Sequence, residues 1–125
     1  MTPNKPYLLR AIYEWLVDND CTPFLLVNAE RRGVLVPRQF VNPEGQVILN
    51  LKPEAIRQLK IENHAVSFSA SFSGNIEAIH VPLSAVLALY AKENGEGMYF
   101  EEDPEDSDDA DNDTKTGSPF LRIIK

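Results

Sequence analysis

Apolar positions in the first twenty residues recur at helical spacing. Leu8, Ile12, Trp15 and Leu16, with Leu9 beside them, fall three and four apart and line one face. Pro6 suits a first helical turn, where its missing N–H costs nothing, so a helix over about residues 6–18 is predicted, closed by Asn19-Asp20. Tyr7 and Tyr13 widen the apolar stripe beyond what one core needs, and the excess predicts cover by a second subunit. From Thr22 to Pro82 the pattern changes to short β-branched and aromatic runs between turn residues, the mark of a small antiparallel β domain. Strands are predicted near Phe24–Asn28, Val34–Pro37, Val47–Leu51, Ala65–Phe72 and Ile76–Val81. Turns fall at Arg32-Gly33, at residues 42–45 and at Ser73-Gly74-Asn75, the last joining a hairpin. Pro53-Glu54-Ala55-Ile56 reads as one helical turn. Residues 83–92, apolar nearly all round after Pro82, predict a second, well-buried helix, and Met98-Tyr99-Phe100 a last short strand. The fold expected is therefore mainly β (α+β), ending near residue 101.

Within 66–72 the alternation is strict: Val66, Phe68, Ala70 and Phe72 share one face and serines the other. Ala70 leaves a dent between two phenylalanines. Two readings stay open, a neighbour filling the dent from the core or a groove that accepts a ligand.

Charge changes the picture only at the end of the chain. Of 125 residues, 19 are acidic and 12 basic, yet residues 1–92 hold 8 acids and 9 bases, while 93–125 hold 11 and 3. Nine acids and no base lie between Glu101 and Asp113, a composition that predicts a disordered, self-repelling linker over 101–118. The chain then turns apolar and basic in Pro119-Phe120-Leu121-Arg122-Ile123-Ile124-Lys125, as a short docking peptide would. The acidity argues against DNA as a partner, since carboxylates and phosphates repel. No apolar run is long enough to span a bilayer, and the N-terminus lacks the pattern of a signal peptide, so no membrane association and a cytoplasmic location are expected.

No constellation for catalysis, metal or cofactor is visible. His64 and His80 have no partner at triad or ligand spacing, and the parity of His80 against Ile79 and Val81 places it at a solvent-facing or edge position. Cys21 is the one cysteine and has no neighbouring base to activate it. Residues 109–113 open like a calcium loop, but Thr114 and Phe120 stand where glycine and glutamate shape such a site. Arg31, Arg32 and Arg38 form a small basic patch, read as solvated.

The chain resembles the stringent starvation protein B family, adaptors that deliver ssrA-tagged proteins to the ClpXP protease. The resemblance rests on Pro6-Tyr7-Leu8-Leu9-Arg10-Ala11 with Tyr13 and Trp15-Leu16, on Gly45-Gln46-Val47-Ile48-Leu49-Asn50, on residues 68–72, on residues 86–91 with Glu93-Asn94-Gly95, and on Leu121-Arg122-Ile123-Ile124-Lys125. It implies an Sm-like β barrel or sandwich and a homodimer through the first helix, at Tyr7, Leu8, Ala11, Ile12 and Trp15. It also implies a groove for the tag as an extended peptide, at Asn50, Phe68, Ser69, Ala70 and Ser71. The terminal residues Leu121, Arg122, Ile123, Ile124 and Lys125 would dock on the N-terminal domain of the ClpX unfoldase. Where the family commonly has Asn and Arg beside the alanine, this chain has Ser69 and Ser71. The rival reading is a ribosome- or RNA-associated Sm-like module that uses the Arg31-Arg32 patch; a small enzyme comes third.

Overall fold

The computed structural model describes residues 3–101. The acidic linker and the terminal peptide, apart from Glu101, lie outside the described residues.

Helix α1 spans Lys5–Asp18, with Asn4 at its N-cap and Pro6 in the first turn. Its end is a Schellman motif: Asp20 takes φ 60°, its N–H reaches the Val17 carbonyl at 3.0 Å, and the Cys21 N–H reaches that of Leu16 at 2.9 Å. The Asn19 side-chain amide adds a bond to the Trp15 carbonyl at 2.8 Å. Three of the four carbonyls left over by the last turn are thus satisfied within the chain. The buried face of α1 is Pro6, Leu9 and Leu16, with Ile12 and Tyr13 packed against the core. Trp15 and Leu8, expected on that face, sit on or toward the outside instead.

Seven strands follow: β1 (Pro23–Asn28), β2 (Gln46–Asn50), β3 (Ile56–Ile61), β4 (Ala65–Phe72), β5 (Asn75–Pro82), β6 (Val86–Ala91) and β7 (Gly97–Tyr99). They form two antiparallel sheets, ordered β2-β1-β6-β7 and β3-β4-β5. Leu25, Val27, Leu49 and Leu89 of the first sheet share one buried cluster with Val66, Phe68, Ile79 and Val81 of the second, and Leu9 and Leu16 of α1 belong to it too. Arg10 ties the helix to the end of β3, its Nε donating to the Ile61 carbonyl and an Nη to Asn63, both at 2.6 Å. The Tyr13 hydroxyl donates to the Leu51 carbonyl at 3.0 Å; burial, with Glu54 nearby, raises its pKa.

Three expectations are corrected. Residues 83–92 are not a helix: a single 3₁₀ turn at Leu83–Ala85 leads into β6. An alanine- and leucine-rich run favours helix locally, but β6 lies between β1 and β7 with both backbone edges paired, and burial on both faces makes it apolar throughout. Residues 34–37 make only an isolated bridge, Leu35 to His80, which covers one point on the outer edge of β5. β3 was missed because a bulge breaks its alternation. Between Arg57 and Lys60 it carries one more residue than β4, and Gln58 takes φ 59°. Ile56 and the pair Leu59 and Ile61 consequently fall on opposite parity although all three pack on the core.

The hairpin at residue 73 has a two-residue turn with Ser73 at φ 53° and Gly74 at φ 84°, the geometry that matches strand twist. The 3₁₀ turn at Pro53–Ala55 agrees with the predicted helical turn.

The start of β1 and the end of β6 are clasped by Glu93, whose carboxylate accepts the Thr22 N–H and hydroxyl, each at 2.8 Å. The Thr22 N–H, seconded by its hydroxyl, holds the Glu93 pKa below its ordinary value. A lowered folded-state pKa stabilises fully above the unfolded value, about 4.3, and loses that stabilisation as pH falls through the depressed pKa. Urea unfolding of Glu93→Gln should therefore show a lower midpoint than the parent at about pH 7, and the difference should shrink as pH falls below the unfolded value toward about pH 3. An equal difference at both pH values would remove the charge from the explanation.

Candidate peptide-binding groove

β4 is the middle strand of the three-stranded sheet, so what its outer half exposes is decided by its neighbours. Ala70 faces Ile56 on β3 and Glu77 on β5. Val66 and Phe68 point into the core, Phe68 being only 4% exposed; from Ala70 onward the same face opens. An open groove of about 510 Å³ lies there. One wall is Pro53, Glu54 and Ala55 of the 3₁₀ turn with the first two residues of β3, the floor is Ala70 between Ser69 and Ser71, and Gly74 and Ile76 close the hairpin end. Ile76 is 77% exposed, a large apolar side chain held in solvent at the rim. The three β4 side chains lining it are small, and Ala70, which also packs against the core, is the smallest. Of the two readings of the dent, each holds in part: Ala70 packs against the core beside the buried Phe68 and also borders the groove, while Phe72 is turned onto Phe40, with centroids 5.4 Å apart.

The residues expected in a peptide site divide three to two. Ser69, Ala70 and Ser71 line the groove together. Phe68 supports it from within the core, and Asn50, exposed on β2 in the other sheet, uses its side-chain oxygen to accept the Lys52 N–H at 2.8 Å. Neither borders the groove. Glu54, Ile56, Arg57 and Ile76 do border it and were not foreseen. Arg57 was legible only through the pairing that sets it opposite Ser69, which local pattern does not reveal.

On α1, Tyr7 and Trp15 are 50% and 47% exposed, Ala11 is exposed and Leu8 half-buried, so an apolar strip faces outward while Ile12 packs inward. Arg10 stacks on the Tyr7 ring at 4.9 Å and fixes one end of the strip.

The profile of the stringent starvation protein B family matches residues 3–120. A curated Haemophilus influenzae protein, described as a stringent starvation protein B homolog, is 42% identical over 124 residues, covering 98% of this chain and 82% of its own. The chain belongs to the stringent starvation protein B family.

The remaining chemistry is sparse. His64 is exposed and lies 3.9 Å from Glu62, His80 is half-buried on the edge of β5, and no group of side chains among the described residues could hold a metal ion. No helix among the described residues is long and apolar enough to cross a membrane. The basic patch differs from expectation. Arg31 is buried rather than solvated, and Arg38 donates to the Ala29 carbonyl at 2.9 Å and lies 3.9 Å from Glu30.

Proposed function

We propose that the protein is a specificity-enhancing adaptor, not an enzyme, that holds ssrA-tagged polypeptides in the groove over Ala70 and tethers them to the ClpX N-terminal domain for degradation by ClpXP. Residues 1–100 bind the tag and dimerise, 101–118 link, and 119–125 dock, with Leu121, Ile123 and Ile124 supplying apolar area and Arg122 and Lys125 orientation. It acts in the cytoplasm and needs no cofactor. The observation that carries this reading is the groove itself, in a chain of this family: an open trough at a strand whose floor is three small side chains, Ser69, Ala70 and Ser71. An extended peptide can bring its backbone close to such a floor, and its alternate side chains can enter on either side. Two of the three arginines that the RNA-binding rival would use are engaged by the fold, Arg31 by burial and Arg38 by its bond to Ala29.

Anisotropy of a fluorescent ssrA peptide titrated with the purified protein tests the reading. Saturable binding is expected, and absence of binding well above micromolar concentrations would refute the tag as ligand. Salt-dependent binding to RNA in its place would favour the rival.

In the same proposal the outward strip of α1 is the homodimer contact. A lysine at Trp15 places a charge in the centre of that strip. Sedimentation velocity should show the Trp15→Lys variant as a monomer at concentrations where the parent is a dimer. A variant that sediments as the parent does would move the contact elsewhere.

A further inference from the structure

Charge in the groove is confined to two residues. Glu54 stands on the 3₁₀ turn and Arg57 on β3; everything else lining it is neutral, including the two serines that flank Ala70. Four other cations of the fold have a defined contact. Arg10 bonds to Ile61 and Asn63, Arg38 to Ala29, and the ammonium groups of Lys5 and Lys92 lie over the rings of Phe100 and Phe24. Arg57 is exposed at the groove and makes no hydrogen bond, ion pair or ring contact with the described residues.

Its position is nonetheless set by the backbone. Arg57 is the last residue of β3 paired regularly with the floor strand before the bulge, lying opposite Ser69 while the next pair is Lys60 with Ser67. Bulges of this kind end a run of pairing and re-aim the side chain beside them. Gln58, at φ 59°, holds the turn of the backbone directly after Arg57.

We propose that Arg57 is the specificity-determining residue of the groove, taking a carboxylate side chain of the extended peptide. The proposal rests on the tag-binding reading above. The hydroxyls of Ser69 and Ser71 can donate single neutral hydrogen bonds, whereas a guanidinium presents a fork of N–H donors that matches a carboxylate and gives the stronger, charge-assisted contact. With a peptide seated over it, that contact is partly removed from water and screened less than on an open surface. Glu54, of opposite sign, disfavours an acidic side chain at the wall it occupies, so the pair selects one register of an acidic peptide over its neighbours.

A cycle of two proteins and two peptides tests this with the full chain. The parent and Arg57→Gln are titrated into a fluorescent ssrA peptide and into the same peptide with its Asp and Glu residues changed to Asn and Gln. The expected result is about a tenfold loss for Arg57→Gln with the acidic peptide, equivalent to about 1.4 kcal/mol, and less than a twofold change with the amide peptide. The tenfold loss should shrink at about 1 M salt, where the screening length is about 3 Å. Equal loss for both peptides, or none for either, overturns the role of Arg57 while leaving the groove as the tag site. No saturable binding of either peptide to the parent overturns the tag-binding reading and this inference with it. Circular dichroism of the variant shows whether β3 is intact, and a charge reversal, Arg57→Glu, should bind a lysine-substituted peptide better than the parent does.

Discussion

Replacing Ala70 with glutamine should abolish binding of an ssrA peptide while leaving the fold in place. The methyl group is the floor of the groove, half-buried between Ile56 and Glu77 on the flanking strands. A glutamine there cannot turn into the core, because Phe68 and Val66 fill the space beneath the same face of β4. It must rise into the trough between the 3₁₀ turn and the hairpin, where the peptide backbone would lie. The peptide then loses contact along its centre, and the new amide competes for its hydrogen bonds. At least a hundredfold loss is expected, about 2.7 kcal/mol at about 1.4 kcal/mol per decade. The fold has little reason to respond. The position is half-open to solvent, and a polar substitution at such a strand site typically shifts stability by no more than about 1 kcal/mol. Anisotropy gives the affinity and a urea titration the stability. Undiminished affinity would remove Ala70 from the site, and a collapse of the urea midpoint would show that the methyl is core rather than floor.

The dent at Ala70, though not what occupies it, could be read from sequence because its signal is local: strict alternation along β4 puts Ala70 on the face of Val66, Phe68 and Phe72, and a small residue among large ones leaves a gap. The hairpin at Ser73-Gly74 and helix α1 are local in the same sense, since turn chemistry and periodicity specify them within a few residues. The walls were not legible. β3 carries Arg57 and Lys60, loses alternation at its bulge, and becomes a strand only through pairing with β4. Arg57 and Ile76 reach the groove through register across strands, information held in no single segment. β6 failed for the converse reason. Residues 86–91 look the same as a buried helix or as a central strand, and the decision lies with β1 and β7 on either side. The face of α1 was shifted because nine apolar residues are enough for two stripes. Leu9 and Leu16 took the core, and Tyr7, Ala11 and Trp15 were left outside.

Deletion of Leu121–Lys125 should leave peptide affinity unchanged and remove delivery. In the proposed adaptor the two contacts are chemically separate: the groove is built from β3, β4 and the hairpin, while the docking residues lie some twenty positions beyond the last strand, β7. β7 carries residues 97–99 into the first sheet, so the expected linker follows directly on the folded part. In the proposal the linker is the 18 residues from 101 to 118; a flexible chain of that length would have an r.m.s. reach of roughly 23 Å, and repulsion among nine acids would lengthen it. A tether of that length converts capture of the substrate by the unfoldase into an event at an effective concentration in the millimolar range. A dimer, with two such termini, adds avidity to a docking peptide that is weak alone. The gain is one of concentration, so it belongs in KM. With the intact adaptor, degradation of a tagged fluorescent protein by ClpXP should saturate at lower substrate than without it. With the truncated adaptor the KM should return to the adaptor-free value or rise above it, since a tag held in the groove but not tethered is withheld from the protease. Shortening Ile123 and Ile124 to valine removes one methylene from each, at most about 0.8 kcal/mol apiece, and should raise KM far less than the deletion does. Full stimulation by the truncated protein would place the docking contact in the folded part of the chain.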